Sequence, residues 1–379
     1  MTKKAKRNIL NISFLLLLIG ITLTILLTCN RELNFENIKG FLKSSNPWFI
    51  AVILLCMILS IAFEGWSMHL IVRRLGYRPK IRSSMAYAAA DVYYSAITPS
   101  ASGGQPASAF YMMRDGISAG VTSFGLLFNL IAYTASIFII GIVGFALNPS
   151  LLWQFKGFVQ FLVILGIVLQ VLLLAFFIAC ISWHKGVLKL GNGVITLLTK
   201  MHIVKKTEKW REKLKVEVEK YHQSFREIRK HPTLFFEALA LNTAQRIAQL
   251  LIPSFVCLAA SPETDFGLLF SMQALVLLGY NSIPLPGGVG AYEYLYLNIY
   301  AAAFGNAFIL SAMMIERAVS YYLRTAVSGV YMLGYHAAGM RNKKNKQEPP
   351  ADAAAEETPE DGENTEESKG EHQDENNVQ

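Results

Sequence analysis

Residues 83–113 read SSMAYAAADVYYSAITPSASGGQPASAFYMM, two apolar half-segments separated by a cluster of proline and glycine. Each half is too short, or barely long enough, to cross a bilayer, because a spanning helix needs about 20 mostly apolar residues. Proline removes an amide donor and glycine favours non-helical geometry, so the cluster breaks the helix. Non-helical backbone at membrane depth is tolerated only where protein or a water-filled cavity surrounds it. We therefore predict a re-entrant or broken helical hairpin here.

The same pattern occurs a second time, because residues 266–304 read FGLLFSMQALVLLGYNSIPLPGGVGAYEYLYLNIYAAAF. Six further apolar segments are long enough to be spans; they cover residues 9–29, 48–72, 121–147, 157–182, 233–259 and 308–336. The prediction is an all-α, polytopic integral membrane protein with about six spans and two re-entrant or broken hairpins, equivalent to about eight transmembrane helices.

Composition excludes an ordinary soluble protein, since 53% of the residues are hydrophobic and only 16% are charged, against about 25% charged in soluble domains. The net charge of +8 is an average over two unlike parts. Residues 347–379 carry a net charge of −11, and the rest of the chain carries +19. Because the basic residues lie between long apolar segments, the basic balance does not predict nucleic-acid binding.

Lysine and arginine are distributed so that the predicted spans have a clear orientation. With the N-terminus in the cytoplasm, 27 Lys and Arg fall on the cytoplasmic side and 4 on the other side. Both termini are then cytoplasmic, and the protein lies in the cell membrane. Two full crossings by each hairpin region would give the same distribution, so charge leaves that choice open. A span, a hairpin and a span occur at 48–147 and again, with opposite orientation, at 233–336, which is an inverted repeat typical of transporters.

The domain organisation follows from these segments. Residues 1–340 form one membrane domain, and within it the loop 183–232 is cytoplasmic and contains an amphipathic helix at 205–230. Residues 341–379 are a charged tail with too few apolar residues to bury a core, so we expect disorder there. The sequence has no nucleotide-binding loop, zinc-ligand spacing or paired cysteines, and we predict no cofactor, no metal site and no catalytic residue.

Ionisable groups inside spans are costly, which makes them functional candidates. A helix that starts after a glycine-rich break also points free amides and its positive end at an anion. Arginines suit a phosphodiester, and acids suit an amine or a proton. The alternative is that the charges only neutralise one another and the glycines only serve packing. The candidate residues for binding a lipid or other substrate are Glu64, Asp91, Thr98, Ser102, Gly103, Gly104, Gln105, Arg246, Gly287, Gly288, Gly290, Glu293, Arg317 and Arg324.

Two stretches carry a resemblance to a known family. AYAAADVYYSAITPSASGGQPASAFYMMRDGIS at 86–118 and PLPGGVGAYEYLY at 284–296 resemble signatures of the lysylphosphatidylglycerol synthase transmembrane region family, also called flippase-like domain proteins. Glu64, Gly65 and Trp66 fit the same pattern, and the resemblance covers about residues 8–340. In the full-length relatives, the multiple peptide resistance factors, this region is implicated in flipping aminoacylated phosphatidylglycerol, and a separate soluble domain transfers lysine from lysyl-tRNA to the lipid.

The resemblance implies a membrane protein that translocates an anionic or aminoacylated phospholipid, such as lysyl-phosphatidylglycerol. Because only an acidic tail follows residue 340, we expect no aminoacyltransferase domain and no catalytic activity in this chain. The alternatives are a phosphatidylglycerol lysyltransferase or its subunit, and an ion-coupled transporter of small solutes. The expected partner is membrane phospholipid, with a separate aminoacyltransferase or a second copy of the chain as further candidates. Nucleic acid is expected only as tRNA under the lysyltransferase alternative.

Overall fold

The described part of the chain is helical, and it contains no β-strand. The predicted first span, 9–29, lies outside it, as do Gly287 and residues 346–379 of the charged tail. The computed structural model describes residues 46–98, 101–182, 207–283, 290–304 and 306–345, together with positions 40, 186, 188, 192–193, 195–196, 199–200 and 288.

Three helices in the first half of the chain are long and apolar enough to cross a membrane. They are Pro47–Arg74, Ala119–Leu147 and the residues Phe158–Ile181, and they coincide with the segments predicted as spans at 48–72, 121–147 and 157–182. The helices of this half are α1 (Pro47–Arg74), α2 (Ile81–Ile97), α3 (Gly104–Arg114), α4 (Ala119–Leu147), α5 (Leu151–Gln154) and α6 (Phe158–Ser182).

The second half repeats the order of a long helix, two shorter helices separated by a break, and a final long helical segment. That final segment was predicted as one helix over 308–336, but the structure has a π-helix, Ala318–Leu323, inside it. We call this stretch the π segment. The helices of this half are α7 (Thr207–Lys230), α8 (Thr233–Ala260), α9 (Phe266–Tyr280), α10 (Ala291–Tyr300), α11 (Asn306–Arg317) and α12 (Arg324–Asn345).

Both helix breaks lie at the predicted proline and glycine clusters, between α2 and α3 and between α9 and α10. In each case the two flanking helices pack against each other. Thr98 shapes the first break, because its Oγ1 accepts a 2.8 Å hydrogen bond from the Gly103 amide and donates to the Tyr94 carbonyl at 2.6 Å. The second break ends at Gly290, whose φ of 90° favours glycine.

Glycines allow the helices to approach closely, as is common between helices in membranes. A Cβ on Gly166 of α6 would lie 2.0 Å from the Leu278 carbonyl oxygen of α9. One on Gly120 of α4 would lie 2.0 Å from the Glu217 carbonyl oxygen of α7. The most extensive contact is between α1 and α8, one helix from each half. This contact brings the polar side chains of both halves together.

The chain divides into two compact units. The first ends at Tyr335 and the second begins at His336. Every residue of the candidate site belongs to the first unit. In the second unit the structure describes residues 336–345, which are the end of α12.

Candidate functional site

A polar cavity of about 540 Å³ lies between helices of both halves. That volume is within the usual range for small-molecule sites, about 300–1,000 Å³. Seven of the fourteen candidate residues line it: Glu64, Asp91, Gln105, Arg246, Gly288, Arg317 and Arg324. The sequence separation between them shows that the fold, and not a local motif, assembles the site.

Two carboxyl groups, those of Glu64 and Asp91, line the cavity. Glu64 accepts a 2.7 Å hydrogen bond from the Gln245 amide and a 3.2 Å bond from Arg324. Asp91 accepts a 3.1 Å bond from the Gln105 amide. Two carboxyl groups in one cavity repel each other when both are ionised, and one proton taken up by the pair removes that repulsion.

Arg246 is the cation without a carboxylate partner in the cavity. Arg246 is only 7% exposed. Among the described residues, no carboxylate lies within ion-pair distance of its guanidinium. Its Nη1 donates to Gln249 at 2.6 Å, and its guanidinium lies 3.9 Å from the ring centroid of Tyr133. Nε of Arg246, Nε2 of Gln249 and Nε of Arg324 are buried with no acceptor in the described structure. These unbonded donors suit an anion that has several oxygen acceptors.

Arg317 lines the same cavity and is held by an acid. Its Nη2 lies 2.8 Å from Oε1 of Glu293, and its guanidinium lies 3.8 Å from the ring centroid of Tyr292. Glu316, the preceding residue, is 3% exposed and accepts a short hydrogen bond from Ser320 of the π segment. The two arginines therefore differ, because Arg317 is in an ion pair and Arg246 has no carboxylate of the described residues within ion-pair distance.

Carboxamide side chains supply a large part of the polar lining, and the candidate set contained only Gln105 among them. Asn129 of α4 accepts from Asn242 of α8 at 3.0 Å and from Ser67 of α1 at 2.6 Å, so three helices are joined. Gln273 accepts a 3.0 Å bond from Tyr300. The sequence places Asn242 and Gln249 on the same face of α8 as Arg246, but Asn129 and Gln273 were missed because an uncharged amide in an apolar segment barely changes its hydropathy. The sequence signal that points to them is that an amide buried in an apolar segment needs hydrogen-bond partners.

The other described candidates lie at the helix breaks and outside the cavity lining. Thr98 and Gly103 bond to each other within the first turn, and Ser102 is exposed there. A Cβ on Gly104 would lie 2.0 Å from Oγ of Ser95. In the second break the Gly290 amide donates to Oε2 of Glu293 at 2.6 Å, so this acid closes the start of α10.

The Gly103 and Gly290 amides thus have acceptors within their own turns. Anion binding by the amides of the breaks stays a prediction, and for Gly287 it lies outside the described residues. Gly288 has a φ of 68°, and a Cβ there would lie 2.4 Å from the Tyr280 ring. Its role in the described structure is to let the second turn pass close to that ring.

A sequence comparison with protein families assigns the chain. The family described as lysylphosphatidylglycerol synthase TM region matches residues 11–328. The protein belongs to this family. Its match extends over all fourteen candidate residues, and with the apolar helices it establishes a membrane location. The family also connects the chain with lysylphosphatidylglycerol. A search of curated proteins gives no match.

Proposed function

We propose that this member of the lysylphosphatidylglycerol synthase TM region family binds the head group of an anionic or aminoacylated phospholipid in the central cavity and moves the lipid between leaflets of the cell membrane. The observation that carries the proposal is the set of buried donors around Arg246 that have no acceptor in the described structure. A phosphodiester has the negative charge and the oxygens that these donors need.

The composition of the cavity supports a lipid head group over a small inorganic ion. The lining is rich in neutral amides and hydroxyls, which suit the glycerol or amino-acid portion of a head group. The carboxyl pair is positioned for a cationic portion, and Arg246 for the phosphate. Apolar helices around the cavity suit the acyl chains, which stay in the bilayer while the head group passes through the protein.

The order of the helices supports movement between leaflets. Each half contains a long helix, a broken pair and a long segment, and the cavity is lined from both halves. Inverted repeats with broken helices at a shared polar site are typical of alternating-access transporters. In this proposal the two halves are inverted repeats, the broken pairs are membrane hairpins and both termini are cytoplasmic.

The test is a leaflet assay in proteoliposomes. Phosphatidylglycerol and lysyl-phosphatidylglycerol, each with a labelled head group, are followed as they become accessible from outside. We expect the wild-type protein to speed movement of at least one of them, and Arg246→Gln to abolish the gain. Arg74→Gln is the matched control, because Arg74 is 44% exposed and pairs with Glu237 at the end of α1. Equal rates in liposomes with and without the wild-type protein reject the proposal.

A further inference from the structure

The carboxyl pair and Arg246 line the same cavity. Gln245, the residue before Arg246, donates a 2.7 Å hydrogen bond to Glu64, and Arg324 lies 3.2 Å from the same carboxyl oxygen. In a site shielded from water, interactions between charged groups are much stronger than at a surface. The charge state of the carboxyl pair therefore depends on whether an anion is bound at Arg246.

Four further charged residues line the cavity with the pair, and they come from α8, α11 and α12. They are Arg246, Glu316, Arg317 and Arg324. The remaining neighbours are uncharged: Gln245 of α8, Ser95 of α2 and Gln105 of α3. Arg324 is in an ion pair with Glu64 and Arg317 with Glu293, whereas Arg246 has no carboxylate of the described residues within ion-pair distance.

Binding of an anion at Arg246 changes this balance. A phosphodiester there cancels the attraction that Arg246 exerts on the ionised carboxyl groups, and it adds a negative charge nearby. Both effects favour the state in which Glu64 and Asp91 share a proton. We propose that the Glu64–Asp91 pair is a proton site linked to anion binding, so that one proton is taken up as the head group binds at Arg246. This inference rests on the proposed function and adds the coupling ion to it.

Linkage is reciprocal, so protonation of the pair must strengthen anion binding by the same factor. As pH rises and the proton leaves, the anion binds more weakly. For one proton per anion, the steepest dependence is about tenfold in affinity for each pH unit. The proton on the pair and the bound phosphodiester are then released together on the other side of the membrane. A pH gradient therefore drives the movement of the lipid.

The experiment measures binding to the full-length protein in neutral detergent by calorimetry between about pH 5 and about pH 9, where a phosphodiester keeps its charge. The probes are dihexanoyl-phosphatidylglycerol and its deacylated head group, glycerophosphoglycerol. Titrations in buffers with different ionisation enthalpies give the number of protons taken up. We expect uptake approaching one proton per bound lipid and an affinity that falls up to about tenfold per pH unit.

Two variants remove the proton site in different ways. Asp91→Asn should show no proton uptake, and at every pH it should bind the lipid with the affinity that the wild type reaches only at low pH. Glu64→Gln should also abolish uptake, which guards against a folding defect in the first variant. Glu237→Gln, which changes an acid of α8 that is 38% exposed and pairs with Arg74, should keep the wild-type pH dependence.

The outcomes separate the two proposals. Wild-type binding that is independent of pH and accompanied by no proton uptake overturns the inference and leaves lipid binding intact. Proton uptake that persists in both Asp91→Asn and Glu64→Gln overturns it as well. If glycerophosphoglycerol binds as tightly as the lipid, the site takes a soluble phosphodiester and the lipid part of the proposed function is rejected. If neither probe binds at any pH, the proposed function fails and the inference fails with it.

Discussion

A Cβ atom on Gly104 would lie 2.1 Å from Oδ1 of Asp91, so the first residue of α3 must be glycine for this acid to keep its place in the cavity. We predict that Gly104→Ala displaces Asp91 and lowers lipid movement at least as much as Asp91→Ala does. The matched control is Gly334→Ala in α12, since a Cβ there meets nothing within 4 Å. The leaflet assay measures lipid movement, and thermal unfolding in detergent checks that each variant is folded. Wild-type movement in Gly104→Ala contradicts the prediction.

The second prediction concerns Tyr133, whose ring lies under Arg246 at 3.9 Å. Its hydroxyl donates to Asn281 at 3.0 Å, so the ring and the hydroxyl have separate roles. A cation–π contact contributes about 0.5–2 kcal/mol, which corresponds to about 2- to 30-fold in affinity if the ring orients the guanidinium. Tyr133→Leu should weaken binding of dihexanoyl-phosphatidylglycerol by that factor.

Tyr133→Phe is the control for this contact, because it keeps the ring and removes only the hydroxyl. We expect its affinity to lie close to that of the wild type in the same calorimetric titration. Equal weakening in both variants shows that the hydrogen bond to Asn281, and not the ring, holds Arg246. No weakening in Tyr133→Leu shows that Arg246 does not depend on this residue.

The helices were predictable from sequence because a long apolar segment leaves few alternatives in a membrane. The break positions were predictable too, since proline and glycine act locally. The contacts of the charged residues were not predictable. Sequence places Glu293 one turn after a glycine cluster, but its pairing with Arg317 depends on how α10 packs against α11.

The contacts between amides of different helices escaped prediction for a different reason. Asn129 and Asn242 lie 113 positions apart in the sequence and within 3.0 Å of each other in space. In a list of hydropathies each is a small interruption of an apolar segment. Only the packing of α4 against α8 shows that the Asn242 amide donates to the Asn129 oxygen, a bond of the kind that buried polar groups need.

The third prediction concerns Glu217 of α7, which accepts a 2.8 Å hydrogen bond from the Gly120 amide at the start of α4. Burial raises the pKa of Glu217, but the Gly120 amide and Lys220 lower it more, so this pKa is below its usual value. The contact therefore adds stability above the unfolded pKa of about 4.3, and this stability is lost as pH falls through the lower folded value. We expect the amides at the start of α4 to lose protection from hydrogen exchange in that acidic range.

In Glu217→Gln the charge is absent at every pH, so protection at neutral pH should be lower and the acidic transition should disappear. Glu219→Gln is the control, because Glu219 is on the same helix, is 55% exposed and pairs with Arg226 instead of α4. An acidic transition of unchanged size in Glu217→Gln assigns it to another group. An identical loss of protection in Glu219→Gln shows that the net charge of α7, and not this contact, is what matters.

The last prediction concerns the π segment, which begins after Arg317 and ends before Arg324. A π-helical turn holds one more residue than an α-helical turn, and such turns often lie at functional sites. Inserting one alanine after Leu323 adds a residue that the π turn does not absorb, so it should rotate Arg324 by about 100° relative to Arg317. Arg324 then loses its 3.2 Å contact with Glu64. We expect lipid binding in calorimetry to fall as far as it does in Arg324→Gln. Deleting Ala318 from the insertion variant restores the residue count between the two arginines, and it should restore binding. If the insertion variant binds like the wild type, the cavity does not depend on the orientation of Arg324, and the two arginines act at independent positions.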